Sequence, residues 1–268
     1  MNNQRAPILV YHHVYPDEQA RQTGPAPGVI GVSEFDRHMR WVREHDGYVV
    51  STTAIVDWLV GRKPLPARAC VLHFDNGWLD TFSVALPRLK EFGMTATCFP
   101  ITSGIEAASS GESMRVRTLT EGSVKRPFMN WQQLGQLADA GWEIGAHTHT
   151  HCKVADKHDA DGDDGVLREV EQSHRLFQQR LGSIPNHFAY PSGSRSPRTD
   201  ALLRDQYRSL RLWRWDWPIQ WRYTDNATSP NAIECQNIDS RVPFDQFERI
   251  FHEAADHPLR QSHEKGRP

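Results

Sequence analysis

Short apolar runs alternate with amphipathic segments along most of the chain. The clearest apolar runs are PILVY at 7–11, CVLHF at 70–74, TATCFPI at 95–101, WEIGA at 142–146 and HFAY at 187–190. Between them, apolar residues recur three or four positions apart, which is the period of a helix with one buried face. Strands that alternate with helices indicate βαβ units and a parallel sheet with right-handed crossovers. The pattern therefore predicts the α/β class.

Capping signals and polar composition separate the predicted helices from the predicted loops. In SEFDRHMRWVREHDG, Ser33 and Asp36 match a capping box, and Gly47 follows the last apolar position of the helix. Polar composition predicts a long loop over residues 102–127 and an acidic loop over residues 152–165.

The size of the chain agrees with one large domain. A chain of 268 residues is long enough for an undivided α/β domain with a substantial core. The pattern contains about seven or eight strands, which favours a barrel over an open doubly wound sheet. No G-x-G-x-x-G or P-loop sequence follows a predicted strand. We therefore predict a single domain over residues 1–268 with a barrel architecture.

Composition narrows the classes of function. The formal net charge of -2 is nearly neutral and gives no electrostatic basis for binding nucleic acid. The sequence has no signal-peptide pattern and no run of about 18 apolar residues. We therefore expect a cytoplasmic protein without an integral membrane segment. The sequence makes no prediction about the oligomeric state. The four cysteines form no C-x-x-C pair and are predicted to be free thiols.

Side chains that carry chemistry follow several predicted strands. Asp75 and Asn76 end the run CVLHF, and His12 follows PILVY. His147 and His151 belong to the segment HTHTH, which directly follows WEIGA. Because the carboxyl ends of parallel strands meet at one edge of the fold, we expect these side chains to lie together.

The HTHTH segment predicts a metal site. Its first and last imidazoles, His147 and His151, are spaced so that both can bind one ion. Thr148 between them is suited to hydrogen bonds that fix the ring orientations. A catalytic metal commonly keeps about three protein ligands, and the pair Asp75–Asn76 is the best candidate for the third. Asn-Gly at 76–77 also predicts a tight turn, and the two interpretations are compatible.

These motifs resemble those of one family of enzymes, the NodB-type polysaccharide deacetylases of carbohydrate esterase family 4. VLHFDNGWLD is similar to their T-F-D-D-G motif, and IGAHTHTH is similar to their H-[ST]-x-x-H metal motif. FAYPSG is similar to the third motif of the branch that deacetylates poly-N-acetylglucosamine. ILVYHHV and MNWQQLGQLADAGWEIG also read like that branch, so the resemblance covers residues 7–193.

The resemblance implies a distorted (β/α)7 barrel and the hydrolysis of an N-acetyl group. At the matching positions, Asp75 would be the general base and His12 the general acid. The backbone N–H of Ser192 would donate to the oxyanion. The remaining residues of that third motif, Tyr190, Pro191 and Gly193, would contribute to substrate binding.

The resemblance also implies a divalent metal, with zinc expected and cobalt or nickel as alternatives. His147 and His151 match two ligands, and Asn76 stands where the third ligand is normally Asp. A neutral amide oxygen removes one negative charge, so metal affinity is expected to be lower. His73 replaces a usual Thr and would orient the base, supply an unexpected ligand or be a satisfied core histidine. Ala189 stands where many relatives have an Arg that orients the base.

The functional prediction is a metal-dependent hydrolase that removes the acetyl group from an N-acetylated sugar or oligosaccharide. Trp217 lies in the aromatic stretch LWRWDWPIQWRY and is predicted to stack on the sugar, with core packing as the alternative. Two other functions remain open at this point. One is hydrolysis of a non-sugar amide or imide, and the other is carbohydrate binding without catalysis, with Asn76 marking the loss of metal.

Overall fold

The computed structural model describes residues 4–24, 26–119, 121–214 and 220–255. Its strands are β1 Arg5–Ala6, β2 Ile8–Tyr11, β3 His13–Tyr15, β4 Val29–Gly31, β5 Tyr48–Val49, β6 Ala69–Asn76, β7 Thr97–Pro100, β8 Val116–Thr118, β9 Gly122–Val124, β10 Glu143–Ile144, β11 His187–Ala189, β12 Ser209–Arg211, β13 Thr224–Asp225 and β14 Gln236–Asn237. Its helices are α1 Asp17–Thr23, α2 Val32–Glu44, α3 Thr52–Leu59, α4 Leu86–Phe92, α5 Thr102–Ser109, α6 Trp131–Asp139, α7 Val154–Leu181, α8 Pro197–Arg204 and α9 Phe244–Ala255. Trp217 lies outside the described residues.

A parallel sheet in the order β10-β7-β6-β2-β14 lies at the centre of the fold. A bridge between Ala146 and Phe188 continues it to β11, which pairs in parallel with β12. A second bridge, between Arg211 and Ile233, leads from β12 towards β14. The predicted α/β class with a parallel central sheet is confirmed. The closed (β/α)7 barrel stays a prediction, because two of these joins are single bridges rather than ladders.

The middle strand β6 is buried along its whole length. Parallel strands are covered on both faces, and this explains why they read as continuous apolar runs. Helix α2 lays Phe35, Met39 and Val42 into the same core cluster as the strand residues Leu9 and Leu72. The apolar face predicted for this helix is thus the face that packs on the sheet.

The start of α2 differs from the predicted capping box. The helix begins at Val32, and neither Ser33 nor Asp36 caps it. Ser33 donates its N–H and its hydroxyl to the Asp17 carboxylate instead. Asp36 accepts from the Arg88 guanidinium. Both side chains therefore link α2 to neighbouring elements. Local sequence does not indicate these long-range hydrogen bonds.

The prediction of two long polar loops from the composition was wrong. Residues 102–127 contain helix α5 and a hairpin of β8 and β9, and most of residues 152–165 lie in α7. Gly104 in α5 approaches Phe128 so closely that a Cβ there would lie 2.5 Å from the ring. Lys157 and Asp161 form an i,i+4 ion pair in α7, and Gly162 interrupts the helix with a φ of 65°. Polar helices of this kind carry too few apolar positions to show a helical period.

All four cysteines are free, as predicted, and Cys70 and Cys98 are fully buried. Within the described ranges, no helix combines the length and the apolar composition needed to cross a membrane.

Candidate functional site

The carboxyl ends of the parallel strands surround a small cleft. It is lined by His12, Asp75, Asn76, Thr118, Leu119, His147, His151, Ser192 and Trp213. All six residues with a predicted catalytic or metal-binding role therefore meet in one place. Thr118, Leu119 and Trp213 are additions, because the sequence analysis assigned none of them a role in the site.

The end of β6 places Asp75 and Asn76 in this cleft. Asn76 has a φ of 74° and Gly77 a φ of 81°, so the chain turns directly after the strand, as Asn-Gly predicts. A Cβ at position 77 would lie 2.8 Å from the Pro100 Cβ, so glycine is also required for packing. The Asn76 carbonyl accepts from the Ile101 N–H at 3.0 Å, which ties the turn to the neighbouring strand.

Arg211 of β12 holds the Asp75 carboxylate. Its Nη2 donates to the two carboxylate oxygens at 2.7 and 2.6 Å, and both residues are 1% exposed. Burial by itself would raise the pKa of Asp75, but the charge of Arg211 holds that pKa well below its usual range. Asp75 is therefore ionised at neutral pH, although it is buried.

Sequence reasoning missed Arg211. The resemblance expects a base-orienting Arg at position 189, and the structure supplies the guanidinium from the next strand instead. Ala189 of β11 lies directly opposite Arg211 of β12 in the parallel register. The available signal was an arginine inside the apolar run SLRLW, because a charged side chain buried in a strand needs a partner.

His147 and His151 present one free ring nitrogen each. The Nδ1 of His147 lies 2.8 Å from the Ala189 carbonyl, and the Nδ1 of His151 lies 2.9 Å from the Arg117 carbonyl. Since a carbonyl only accepts, each Nδ1 carries the proton and each Nε2 keeps its lone pair. The ring centroids are 5.0 Å apart. Burial lowers the pKa of His147 to about 3 and that of His151 to about 4, so both rings are neutral.

Glu169 of α7 shapes the segment between these two histidines. Its Oε2 accepts from the backbone N–H groups of His149 and Thr150 at 3.0 and 2.9 Å. Its Oε1 accepts from the Thr150 hydroxyl at 2.8 Å. These bonds satisfy a loop in which Thr148 and His151 both have positive φ. No local pattern indicates this role, because Glu169 lies 18 residues beyond the motif.

The side-chain oxygen of Asn76 completes a set of three possible donors. Asn76 is 2% exposed, and its Oδ1 is buried without a hydrogen-bond partner among the described residues. An unpaired buried acceptor is costly, and a cation is one partner that would satisfy it. Among the residues that the structure describes, no three His, Cys, Asp or Glu side chains form a metal-binding cluster. A metal here would thus depend on the amide oxygen beside two neutral imidazoles, which are ligands of the right chemistry.

His12 and Ser192 line the other sides of the cleft. The Nε2 of His12 lies 3.9 Å from the Asp75 Oδ2, and burial lowers the pKa of His12 although the Asp75 charge opposes this. The indole of Trp213 faces His12 edge-on at 6.5 Å. Ser192 has a φ of 53° in a tight turn whose hydrogen bonds come from Gly193 and from the residue after it, not from the Ser192 N–H.

The other residues of FAYPSG hold this turn and do not line the cleft. Tyr190 is fully buried and donates its hydroxyl to Asp200 at 2.7 Å. Pro191 is also buried. A Cβ at Gly193 would lie 2.0 Å from the Trp213 carbonyl oxygen, so only glycine fits there. The structure therefore gives these three residues a positional role rather than a direct contact with the cleft.

His73 and Thr148 also lie outside the cleft lining. The ring-orienting role predicted for Thr148 was wrong, because the Ala189 and Arg117 carbonyls accept those hydrogen bonds from the two imidazoles. His73 is fully buried two residues before Asp75 on β6, and its Nε2 bonds the Thr52 hydroxyl at 2.9 Å. That hydroxyl is 2.7 Å from the Thr97 hydroxyl. His73 is thus a core histidine in a polar network inside the sheet, but it is only half satisfied, because its Nδ1 has no hydrogen-bond partner among the described residues.

Backbone strain is concentrated at this site. Among the described residues, six non-glycine residues have positive φ, and four of them are Asn76, Thr148, His151 and Ser192. Non-glycine residues in this region cost of order 1–3 kcal/mol each and persist where the surrounding structure enforces them. Such clustering is typical of a functional site.

Comparison with known proteins identifies similar sequences and folds. The sequence profile of the polysaccharide deacetylase family matches residues 62–209. The Bacillus subtilis protein YxkH is 26% identical over 195 residues, which are 70% of this chain and 57% of YxkH. The poly-β-1,6-N-acetyl-D-glucosamine N-deacetylase of Escherichia coli K12 is 28% identical over 142 residues, 53% of this chain and 20% of that protein. The chain thus spans little more than half of one relative and a fifth of the other.

A solved structure shows the same fold. The deacetylase PplD of Streptococcus pyogenes, in complex with acetate, superposes with a TM-score of 0.75 at 18% identity. The match covers 93% of this chain and 99% of that chain.

Proposed function

The chain belongs to the polysaccharide deacetylase family, and from this premise we propose that it is a metal-dependent hydrolase that removes an N-acetyl group from an amino sugar or its oligosaccharide. The predicted resemblance to the family and to its poly-N-acetylglucosamine branch is confirmed by the matches. One observation carries the proposal. The ionised Asp75 lies in the same cleft as two neutral imidazoles and an unpartnered amide oxygen.

We propose that Asn76 Oδ1 and the Nε2 atoms of His147 and His151 hold a divalent ion. Members of the family depend on metal in general. Zinc suits the two imidazoles best, and cobalt or nickel are alternatives. When bound, such an ion supplies polarisation of an amide carbonyl and a lower pKa for water.

The residues around the ion would handle the protons and the developing charge. Asp75, kept ionised by Arg211, accepts a proton from the attacking water. His12 lies beside Asp75 and donates a proton to the leaving amine. Its lowered pKa makes His12 neutral in the free protein, so it would first take up the proton that Asp75, 3.9 Å away, has removed from water, and would then pass that proton to the amine. The Ser192 N–H donates to the oxyanion of the tetrahedral intermediate.

The test combines metal content with acetate release. Elemental mass spectrometry of the purified protein should give about one transition ion per chain, without added metal. Acetate should be released from oligomers of N-acetylglucosamine and not after metal removal by a chelator. Turnover of simple amides or cyclic imides but of no sugar would favour the non-sugar hydrolase. Sugar binding without turnover and without bound metal would favour a binding protein that has no catalytic activity. This alternative is a specific one, because Asn76 stands where the family normally has an aspartate ligand.

Replacing Asn76 with aspartate should tighten metal binding by at least about tenfold. The change adds a negative charge next to a divalent ion, and this attraction exceeds the ~1.4 kcal/mol that corresponds to a factor of ten. The dissociation constant is measured by competition with a chromophoric chelator. Asn226→Asp is the matched control, because Asn226 is exposed. An unchanged constant in Asn76→Asp would argue strongly against a ligand role.

Replacing Glu169 with alanine should weaken metal binding by roughly 10- to 100-fold, the usual cost of losing a group that orients ligands. The substitution removes three hydrogen bonds to the loop between His147 and His151. Glu171→Ala is the control, since Glu171 is exposed on the same helix. Metal affinity is measured by the same chelator competition. Equal affinities in the two variants would show that the loop keeps its conformation without Glu169.

A further inference from the structure

The hairpin formed by β8 and β9 is a separate two-stranded sheet beside the cleft. Its strands pair from Val116 opposite Val124 to Thr118 opposite Gly122. Isolated two-stranded hairpins are only marginally stable in water. The position of this hairpin must therefore be fixed by contacts with the rest of the protein.

Glu121, in the turn of the hairpin, makes the polar contact to a distant part of the chain, while Val116 packs into the main core cluster. Its Oε2 lies 3.3 Å from the Nε2 of His13, and its Oε1 accepts from Arg126 at 2.9 Å. The Glu121 N–H donates to the Thr118 hydroxyl at 3.0 Å, which closes the turn. The Glu121 side chain is only 11% exposed, so this pair is largely shielded from solvent.

His13 is itself held rigidly. Its Nδ1 lies 2.9 Å from the Asp80 Oδ1, and the other oxygen of Asp80 accepts from the Val14 N–H at 2.9 Å. The ring is 1% exposed and stacks on Trp78 at 5.0 Å. Burial alone would lower the pKa of His13, but Asp80 and then Glu121 raise it to about 9. The imidazolium therefore joins two carboxylates from different parts of the chain.

The hairpin contributes to the cleft in two ways. The Arg117 carbonyl accepts from the Nδ1 of His151 at 2.9 Å and so fixes the orientation of that ring. Thr118 and Leu119 line the cleft, and Leu119 is 50% exposed although it is a large apolar residue. An exposed leucine at a cleft wall offers an apolar surface to the ring of a bound sugar.

We propose that His13 and Glu121 are positioning residues that anchor the β8–β9 hairpin, and that the anchored hairpin orients His151 and forms the substrate-facing wall of the cleft. Neither residue lines the cleft, so both act through the hairpin. The proposal rests on the proposed function for its account of metal and substrate. Its first element, the anchoring of the hairpin, is independent of that function.

Glu121→Gln tests the proposal, because it removes the charge and keeps the shape. We expect backbone hydrogen exchange in the peptide covering residues 116–124 to accelerate at least tenfold. We also expect the dissociation constant for zinc to rise about 10-fold or more and KM for an N-acetylglucosamine oligomer to rise more than kcat falls. Glu112→Gln, at an exposed site before the hairpin, should change none of these. Arg126→Gln should have a smaller effect on exchange, since His13 remains paired.

The outcomes separate this proposal from the proposed function. Unchanged exchange in Glu121→Gln overturns the anchoring. Faster exchange with unaltered zinc affinity and KM overturns the positioning role. If the unmodified protein binds no zinc and releases no acetate, the proposed function fails, and exchange in the hairpin still decides whether Glu121 anchors it.

Discussion

Replacing Asp75 with asparagine is expected to lower kcat/KM for acetate release by roughly 10²- to 10⁴-fold, the range that a positioned general base contributes. Asparagine has nearly the same shape but cannot accept a proton from water. The two oxygens that now receive Nη2 of Arg211 would become one oxygen and one amide group. The loss should therefore appear in kcat, with a much smaller effect on the binding of substrate.

The variant must keep its metal for this result to identify a base. Metal content, measured on the same preparation by elemental mass spectrometry, should stay near that of the unmodified protein. Asp164→Asn is a matched control, because it makes the same change on an exposed carboxylate of α7. Activity of Asp75→Asn within tenfold of the control would contradict the role of Asp75, whatever the metal content.

The parts of the site that sequence predicted are those fixed by local signals. Asn-Gly forces the turn that follows β6, and three histidines in five residues after a strand predict a cluster of imidazoles. The rule that carboxyl ends of parallel strands converge then places Asp75, His147 and His12 in one cleft. Each step uses residues that are neighbours in the chain or at the ends of adjacent strands.

The parts that sequence missed depend on long-range contacts. Arg211 lies 136 positions from its partner Asp75. Glu121 lies 108 positions from His13 and falls in a stretch with no apolar period. Glu169 lies in the middle of α7 and fixes a loop outside that helix. The acidic sequence at the start of α7 was itself predicted to be a loop. In all three cases, the role is decided by which segments pack together, and one sequence carries no direct record of that packing.

Arg211 is the position where loss of one partner should cost the most stability. Replacing it with methionine leaves the Asp75 carboxylate buried without its counter-charge, and such changes cost about 3–5 kcal/mol. The free energy of unfolding at pH 7, measured by urea denaturation of the metal-free protein, should fall by that amount. Acetate release should also be lost, because no guanidinium then orients the Asp75 carboxylate in the cleft.

The pH dependence of this loss has a definite sign. In the unmodified protein, Arg211 depresses the pKa of Asp75. The pair therefore adds stability at every pH above the ordinary pKa of an aspartate, and this stability is lost as the pH falls through the depressed pKa. Arg211→Met removes the largest of the influences that lower the pKa of Asp75, so burial, which raises that pKa, has a greater effect. Acidification then neutralises the buried charge, so the stability difference between the two proteins should shrink from pH 7 towards pH 4. A difference that stays constant over this range would contradict the Asp75–Arg211 account.

A second variant separates the charge from the loss of packing around it. The double variant Asp75→Asn with Arg211→Met removes both charges, and replacing a buried ion pair by neutral groups is often close to neutral for stability. It should therefore be more stable at pH 7 than Arg211→Met alone, although it lacks activity. If it is no more stable, the cost lies in the shape of the Arg211 side chain beside Phe99, whose ring centroid is 5.3 Å from the guanidinium carbon. Recovery of stability would show that the cost in Arg211→Met comes from the unpaired charge of Asp75.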